Sequence, residues 1–356
     1  MPTLLLDKKR CLANIERMAL KARANRLSFR PHFKTHQSAE IGNWFRDFGV
    51  SAITVSSFRM AAYFAEAGWN DILVAFPFNP GDIEHLNRLS ENYQISILID
   101  NRETLPLLKP ITKNVCFYID IDTGYGRTGV KSESVARINE IIRDSQSNTN
   151  LEFSGFYCHA GHSYKAFSAM ERDEIHLKAI ADLEHLKNHF LEYSPKVLYG
   201  DTPNCSTQEN FDGVDEITPG NFIFYDLYQH ILGSCNLEDI AVAMACPMVG
   251  KYPDDQRLLI HGGAVHFSKE SVHIEGRPRY GQLVNPTERG WESPVRVQFI
   301  NSLSQEHGIL ENCGEIFERI EIGDMLHFVP VHSCLTANLM RAFHTPEGKT
   351  ITTLNS

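Results

Sequence analysis

The chain has 356 residues, of which 42% are hydrophobic and 22% charged, a composition typical of a folded globular protein. Its formal net charge of −10, with no basic cluster that contains interleaved aromatic residues, argues against nucleic acid or an anionic membrane as a partner. No apolar stretch approaches the length that spans a bilayer, and the N-terminal run lacks the layout of a signal peptide. The eight cysteines include no C-x-x-C pair, which favours reduced thiols and hence a cytoplasmic protein.

Apolar, strand-like runs alternate with amphipathic helical runs from residue 28 to about residue 226. The strand-like runs are 28–34, Ala52–Ser56, Asp71–Pro77, Gln94–Asp100, Val115–Asp122, Phe153–His159, Lys196–Asp201 and Glu216–Tyr225. Helical patterns lie between most of them, at 39–47, 58–67, 80–91, 101–109, 132–144 and 168–192. This order predicts the α/β class and a (β/α)8 TIM barrel. A doubly wound sheet alternates in the same way, but no G-x-G-x-x-G follows the first strand, so a dinucleotide-binding fold lacks support.

Beyond about residue 238 the pattern changes to short strands separated by turn-rich segments. The expected strands are Ile240–Val249, Arg257–His261, Ser271–Glu275, Val295–Asn301 and Asp324–Pro330. The N-terminal residues, Thr3–Asp7 especially, could add a strand to this part. We therefore predict a barrel over residues 10–238 and a β-rich domain over residues 239–356, joined by the N-terminal strand of residues 1–9.

Lys34 ends the first predicted strand, within Ser28–His36 (SFRPHFKTH). The carboxyl ends of the strands are where an α/β barrel carries its chemistry. A lysine surrounded by apolar residues at this position loses hydration, which disfavours its ammonium form and allows the amine to attack an aldehyde. A lysine at a strand end can equally be an ordinary surface residue, so the neighbouring motifs have to decide.

Two motifs follow the fifth and sixth predicted strands. In Asp120–Gly129 (DIDTGYGRTG), the glycines allow a sharp turn that carries Arg127 over the barrel mouth. Its guanidinium can hold a phenolate or carboxylate oxygen there, or it can brace the loop through a salt bridge. In Gly155–Tyr164 (GFYCHAGHSY), His159 ends the strand and can stack on or hydrogen-bond to a flat ring, and Tyr164 supplies a phenol nearby.

Two further segments have the features of a phosphate site. Gly200–Asn204 (GDTPN) follows the seventh predicted strand, and Pro219–Asn221 (PGN) lies in the region of the eighth. The loops after these two strands are the usual phosphate position of this barrel. Backbone N–H groups of Gly220 and Asn221, with the Thr202 hydroxyl, suit a phosphate without a lysine.

Three motifs, R-P-H-x-K-T-H, D-T-G-x-G-R-x-G and G-x-T-P, occur in register over roughly residues 1–230. Together they resemble the motifs of the fold-type III pyridoxal-phosphate enzymes, the alanine-racemase-like barrel group. The resemblance implies pyridoxal 5'-phosphate (PLP) as cofactor, with Lys34 as its Schiff-base lysine and Arg127 near its phenolic oxygen. The other residues expected to bind the cofactor are His159, Tyr164, Thr202, Gly220 and Asn221.

The last motif is the H-x-C formed by His332 and Cys334. Residues two apart on an extended segment point to the same side, and an imidazole with a thiolate is a zinc pair that leaves positions open for water or substrate. Packing residues are the alternative. In this family context the motif resembles the metal motif of the D-serine dehydratase and D-threonine aldolase branch, in which H-x-C resembles the dehydratases and H-x-D is more frequent in aldolases.

The resemblance therefore implies a PLP- and zinc-dependent lyase that converts a D-β-hydroxy amino acid to a keto acid and ammonia, as a D-serine dehydratase does. Lys34 would remove the α-proton, and zinc, or another divalent metal, would make the β-hydroxyl a better leaving group. D-Threonine aldolase-type cleavage to glycine and an aldehyde is the alternative. An amino-acid racemase is a second alternative, although no G-Y-x-D-G string that would carry its second base occurs. A homodimer is expected from the resemblance alone.

One segment departs from the family pattern. His261–Ser268 (HGGAVHFS) stands where many relatives begin with D-A-G. We expect His261, His266 and His273 to pack in a sheet rather than to line the active site.

Overall fold

The computed structural model describes residues 1–288, 290–294 and 296–356. Mutual contacts divide the chain into two compact units. The β unit consists of Met1–Ile15, Thr35–Ile41 and Asn221–Ser356, and the barrel unit consists of Glu16–Lys34 and Gly42–Gly220. The domain limits predicted above, residues 10–238 and 239–356, remain a prediction.

The secondary structure is numbered along the chain. The strands are β1 Thr3–Leu6, β2 Ser28–Phe29, β3 Ala52–Val55, β4 Asp71–Pro77, β5 Gln94–Ile99, β6 Val115–Asp122, β7 Val130–Lys131, β8 Leu151–His159, β9 Lys196–Gly200, β10 Glu216–Ile217, β11 Val242–Tyr252, β12 Arg257–His261, β13 Val272–Ile274, β14 Arg277–Arg279, β15 Gly281–Thr287, β16 Gly290–Glu292, β17 Ser302–Leu303, β18 His307–Leu310, β19 Met325–Pro330, β20 Ala342–His344 and β21 Thr350–Thr352. The α-helices are α1 Lys8–Ala24, α2 Ala39–Trp44, α3 Phe58–Glu66, α4 Ile83–Ser90, α5 Val135–Ser145, α6 Ala169–His189, α7 Thr202–Thr207, α8 Leu227–Ile231, α9 Ala264–Phe267, α10 Glu315–Arg319 and α11 Ser333–Met340.

The barrel unit is built on parallel strands. Within the described residues, eight of them follow one another in the order β2-β10-β9-β8-β6-β5-β4-β3, and β7 pairs with β6. A parallel bridge between His32 and Thr54 joins the chain after β2 to β3 and nearly closes the ring. Side chains from successive strands form one buried cluster: Leu73, Leu98, Tyr118, Tyr157 and Leu198. The predicted eight-stranded α/β barrel is therefore confirmed.

The first and last barrel strands are shorter than the sequence pattern predicted. β2 ends at Phe29 and β10 at Ile217, although the apolar pattern continues to residues 34 and 225. Pro31 has no N–H group to donate to a neighbouring strand, which limits the first strand. At the other position the chain forms a turn of 3-10 helix over Asn221–Ile223.

Buried ion pairs lie near the amino-terminal end of the barrel strands. Arg30 donates from Nε to the Glu216 carboxylate at 2.6 Å and from Nη1 to the Asp71 carboxylate at 2.7 Å. These two carboxylates belong to the first residues of β10 and β4. Arg30 is 5% exposed and Glu216 is 4% exposed, so each charge depends on its partner.

The β unit is a sheet in the order β16-β15-β19-β11-β1-β20-β21, extended by β12, β18 and β17. β1 runs antiparallel to β11, with Thr3 opposite Ala245, so the N-terminal strand joins this sheet as predicted. Of the predicted strand Val295–Asn301, Val295 lies outside the described residues. In the remainder, Phe299 forms an isolated bridge to Gln282 instead of a continuous strand.

The longest helix of the described part is α6, with 21 residues. The Ser168 hydroxyl accepts from the Glu171 N–H, and the Glu171 carboxylate accepts from the Ser168 N–H, a capping box that sets where the helix begins. Charged residues recur along α6. Over the described ranges, no helix combines the length and the apolar character needed to cross a membrane.

Candidate active site

Lys34 lies at the carboxyl-terminal end of the barrel strands, two residues after the His32 bridge. Its N–H donates to His32 Nδ1 at 3.3 Å. The preceding side chain, Phe33, is buried among aromatic rings, with its ring 4.9 Å from that of Phe45. Lys34, the next residue, lies in a turn over residues 33–36 and is exposed. The expectation that apolar residues surround Lys34 is therefore wrong, because the chain leaves the strand before this residue and the turn exposes its side chain.

His159, the last residue of β8, is influenced by two cations. Its pKa is lowered to about 3, first by burial and then by the positive charges of Lys34 and Arg127. The structure thus brings the three residues predicted from three different strand ends close together. The His159 ring is neutral at physiological pH and can stack or accept a hydrogen bond.

The loop that carries Arg127 is held by carboxylates at the end of β6. Asp122 accepts from the N–H groups of Gly124 at 2.9 Å and Gly126 at 3.0 Å. Asp120 accepts from the Thr128 hydroxyl at 2.7 Å. Gly124 and Gly126 have φ values of 130° and 72°, in the region that favours glycine. The aspartates of this motif therefore fix the loop.

A chain of ring contacts connects Arg127 with the predicted phosphate loop. The Arg127 guanidinium lies 5.0 Å from the centre of the Tyr125 ring, which is 6.0 Å from the His159 ring. The His159 ring is 6.2 Å from that of Tyr164, whose hydroxyl accepts from the Thr202 N–H at 3.3 Å. Tyr125 was not among the predicted site residues, although it lies inside the glycine-rich motif Asp120–Gly129.

The predicted phosphate loop after β9 is organised by a buried aspartate. Asp201 is 2% exposed and accepts from the Asn204 N–H at 2.7 Å and the Ser163 hydroxyl at 2.9 Å. This N-cap starts α7 at Thr202, and the N–H groups of its first turn are used within the protein, since Thr202 donates to Tyr164 and Asn204 to Asp201. A Cβ atom at Gly200 would lie 2.2 Å from the Thr218 hydroxyl oxygen, so the close approach requires glycine.

The last two residues predicted for the phosphate site fall in different units. Gly220 ends the barrel unit, and Asn221 begins a segment of the β unit. The Asn221 amide nitrogen donates to Asp226 at 2.7 Å, to the Ser333 hydroxyl at 3.0 Å and to Cys334 Sγ at 3.4 Å. The side chain of Asn221 thus lies beside the H-x-C motif.

His332 and Cys334 lie where the chain enters α11. His332 is the extended N-cap residue and Cys334 the second residue of the helix, so the idea that both lie on an extended segment is wrong. Burial alone would lower the pKa of His332 and raise that of Cys334. The hydrogen bond between the two side chains and the carboxylate of Glu270 outweigh burial at His332 and raise its pKa to about 11. The interaction with His332 also lowers the pKa of Cys334, so its thiol ionises more readily, and thiolate is the metal-binding form of cysteine.

Two residues that the sequence analysis missed orient this pair. Glu270 Oε2 is 2.9 Å from His332 Nδ1, and Cys334 Sγ donates to the Thr35 hydroxyl oxygen at 3.4 Å. A carboxylate on one ring nitrogen fixes a histidine so that the other nitrogen is available to a metal. No sequence pattern marks Glu270, since it is 62 residues from His332.

The three histidines near the departure from the family pattern are not core residues. His261 and His266 are half-buried, and His273 is exposed. His261 lies in β12 and His273 in β13, so these two lie in sheets as expected. The expectation is wrong for His266, because the segment after β12 leaves the sheet and forms α9.

Two family models match the chain. The family described as "Alanine racemase, N-terminal domain" matches residues 6–226, and the one described as "Putative serine dehydratase domain" matches residues 241–345. The first match covers more than half of the chain. The chain belongs to the alanine racemase N-terminal domain family. The resemblance inferred from the three barrel motifs is thereby confirmed.

Several relatives of this alanine-racemase-like chain match along most of its length. D-serine dehydratase of Dictyostelium discoideum is 28% identical over 93% of this chain and 89% of its own. The structure of D-threo-3-hydroxyaspartate dehydratase from Delftia sp. HT23 has a TM-score of 0.91 and 25% identity, and covers 100% of this chain and 98% of that one. A cysteine-to-alanine mutant of that enzyme, solved in the metal-free form, has the same TM-score of 0.91. D-threonine aldolase of Arthrobacter sp. is 25% identical over 49% of this chain and 47% of its own.

Proposed function

We propose that this chain is a PLP- and zinc-dependent lyase that converts a D-β-hydroxy amino acid to a keto acid and ammonia, as a D-serine dehydratase does. The observation that carries the proposal is the oriented imidazole–thiol pair of His332 and Cys334, with Glu270 on the histidine. Relatives named as dehydratases, aligned over most of the chain, support the same reaction.

The barrel unit has the groups that PLP requires. A lysine amine, a guanidinium and a neutral imidazole lie close together, and Thr202 at the start of α7 carries a hydroxyl that suits a phosphate. The Thr218 hydroxyl lies so close to Gly200 that no side chain fits at this position of the loop before α7. The residues proposed to bind the cofactor are Lys34, Arg127, His159, Tyr164, Thr202, Gly220 and Asn221.

In this proposal the chain's own residues divide the reaction between them. Lys34 would hold the cofactor, and its amine would take the proton from Cα of the substrate. Arg127 provides a fixed positive charge for an anionic oxygen, and the neutral ring of His159 provides a flat surface. When bound, PLP delocalises the electron pair left at Cα, and zinc makes the β-hydroxyl a better leaving group.

The donor set of the β unit suits zinc. His332 and Cys334 offer one nitrogen and one sulfur ligand, and water or substrate can complete the coordination. The Asn221 amide nitrogen and the Thr35 hydroxyl oxygen each lie 3.4 Å from Cys334 Sγ and so help to position it.

D-Threonine aldolase-type cleavage to glycine and an aldehyde is the second candidate, because it would use the same residues. Cysteine rather than aspartate at position 334 favours dehydration, and the aldolase match spans only about half of the chain. A racemase, the third candidate, would leave the pair of His332 and Cys334 without a chemical role.

We further propose a homodimer and a cytoplasmic location. The homodimer follows from the resemblance to the alanine-racemase-like group. All eight cysteines are free thiols in the structure, which suits a reducing compartment. Sedimentation equilibrium and cell fractionation test these two points.

Product analysis tests the proposed reaction. The purified protein, supplied with PLP and zinc, is incubated with D-serine, D-threonine or D-threo-3-hydroxyaspartate, with L-serine as the matched control. We expect ammonia and a keto acid from at least one D-substrate, none from L-serine, and loss of the reaction after chelation. Glycine and an aldehyde as products would instead establish the aldolase. The L-enantiomer of the substrate as the product would establish the racemase.

A further inference from the structure

A group of three metal-ligating side chains lies in the β unit apart from His332 and Cys334. We call it the histidine cluster, and it consists of His261 at the end of β12, His266 in α9 and Glu306 in the turn between β17 and β18. Glu306 Oε2 is 3.5 Å from His261 Nε2 and 3.9 Å from His266 Nε2. All three ligand atoms lie within 4.8 Å of one another.

The backbone fixes the two segments that carry these side chains. The Gly262 N–H donates to the Glu306 carbonyl at 2.9 Å, and the Ala264 N–H donates to the Ser304 carbonyl at 2.8 Å. A Cβ atom at Gly263 would lie 2.4 Å from the Gln305 carbonyl oxygen, so only glycine allows this approach. Because the segments are already joined, a bound ion would need little rearrangement of the chain.

Two imidazoles and one carboxylate form a donor set for zinc and similar divalent transition metals. Ligands about 2.1 Å from a tetrahedral ion lie about 3.4 Å apart, close to the spacing around Glu306. We propose that His261, His266 and Glu306 form a second divalent transition-metal site, which joins β12 and α9 to the β17–β18 turn.

The proposal has one structural consequence. Without a metal, the Gly263 N–H donates to His266 Nδ1 at 3.2 Å. A metal on Nε2 requires the ring hydrogen on Nδ1, so binding must end this hydrogen bond. The amide signal of Gly263 should therefore shift when Zn²⁺ is added to a protein in which only the histidine cluster can bind it.

Zinc stoichiometry tests the proposal independently of the proposed function. We expect two equivalents of Zn²⁺ per wild-type chain by titration calorimetry, one for Cys334→Ala, and none for Cys334→Ala combined with either His261→Ala or Glu306→Gln. Glu306→Gln keeps the size of the side chain, and circular dichroism checks that each variant is folded. His273→Ala, which removes an exposed histidine of the same unit, is the matched control and should keep two equivalents.

The outcomes separate the two sites. If Cys334→Ala binds no Zn²⁺, or if its bound Zn²⁺ survives both cluster substitutions, the histidine cluster is not a metal site. If the wild type binds one equivalent that is kept in Cys334→Ala and lost in His261→Ala, the cluster proposal holds and the zinc of the proposed function fails. Co²⁺ bound to Cys334→Ala should show visible ligand-field bands without a thiolate charge-transfer band, and a spectrum of free aqueous Co²⁺ would overturn the proposal.

Discussion

The two ends of the barrel strands carry charge in opposite arrangements. At the amino-terminal end, Arg30 lies between the carboxylates of Glu216 and Asp71, and Lys196 also pairs with Glu216 at 3.6 Å. At the carboxyl-terminal end, two cations, Lys34 and Arg127, act on one imidazole, that of His159. Paired charges of opposite sign attract each other and hold a fold together. Two neighbouring cations repel each other, and an anionic ligand between them relieves that repulsion. The contrast indicates that the first end maintains the structure and the second binds and reacts.

The largest effect is expected for Lys34→Ala. Turnover should fall by more than about 10³-fold, since both the covalent link to the cofactor and the base for the α-proton are lost. The free energy of unfolding should change by less than about 0.5 kcal/mol, because the Lys34 side chain is exposed. Lys131→Ala, also an exposed lysine of the barrel unit, is the control and should remain active. Residual turnover of Lys34→Ala close to that of the control would contradict the role of Lys34.

Arg30→Met should give the opposite result. The substitution leaves the buried Glu216 with the exposed Lys196, 3.6 Å away, in place of the buried Arg30, which should lower the free energy of unfolding by about 3–5 kcal/mol in a urea titration. Activity per folded molecule should remain near that of the wild type. Adding Glu216→Gln should restore part of the lost stability, because the poorly compensated buried charge is then removed. A stable but inactive Arg30→Met protein would reverse the assignment of the two barrel ends.

Cys334→Ala should lower the rate of dehydration by about 10²-fold or more, since hydroxide is a poor leaving group without the metal. The absorbance of bound cofactor should remain, because the residues proposed to bind it lie mainly in the barrel unit. Added zinc should restore chelated wild-type enzyme but not this variant. Cys116→Ala, which removes another partly buried thiol, is the control. Full activity of Cys334→Ala would return the H-x-C motif to a packing role.

The smallest effect concerns pH and His159. Its folded-state pKa of about 3 lies below the ordinary value of 6.5, so the unfolded chain takes up the proton first as the pH falls. The stability that His159 contributes is therefore present above pH 6.5 and is lost as the pH falls towards 3. Between pH 7 and pH 5, the free energy of unfolding of His159→Gln should fall by about 2 kcal/mol less than that of the wild-type protein. Equal losses in both proteins would show that His159 titrates normally.

The residues at the carboxyl-terminal end of the barrel were predictable, because the carboxyl ends of parallel strands lie at one edge of the sheet. Lys34, Arg127 and His159 follow three separate strand patterns, and the barrel geometry brings them together. The exposure of Lys34 was not predictable from apolar content, since it lies in a turn at residues 33–36 that follows the shortened first strand. The sequence also could not show where the first strand ends, because the effect of Pro31 on strand pairing depends on the neighbouring strand.

The H-x-C motif was predicted as a metal pair on an extended segment, and the structure corrects this reason. His332 and Cys334 come together at the start of α11, where an extended N-cap residue precedes a helical one, rather than on one strand. Their partners are distant in sequence: Thr35 is 299 residues from Cys334. Contacts at such separation leave no periodic signal, so they appear only when the chain is folded.

Borohydride reduction tests the central claim, that Lys34 binds the cofactor covalently, most directly. The protein purified with PLP should be yellow, and reduction should fix the pyridoxyl group permanently to one lysine. Proteolysis and mass spectrometry then locate the added mass. We expect the added pyridoxyl mass on the peptide that contains Lys34 and on no other peptide. Attachment to a different lysine, or a colourless protein that takes up no PLP, would contradict the account.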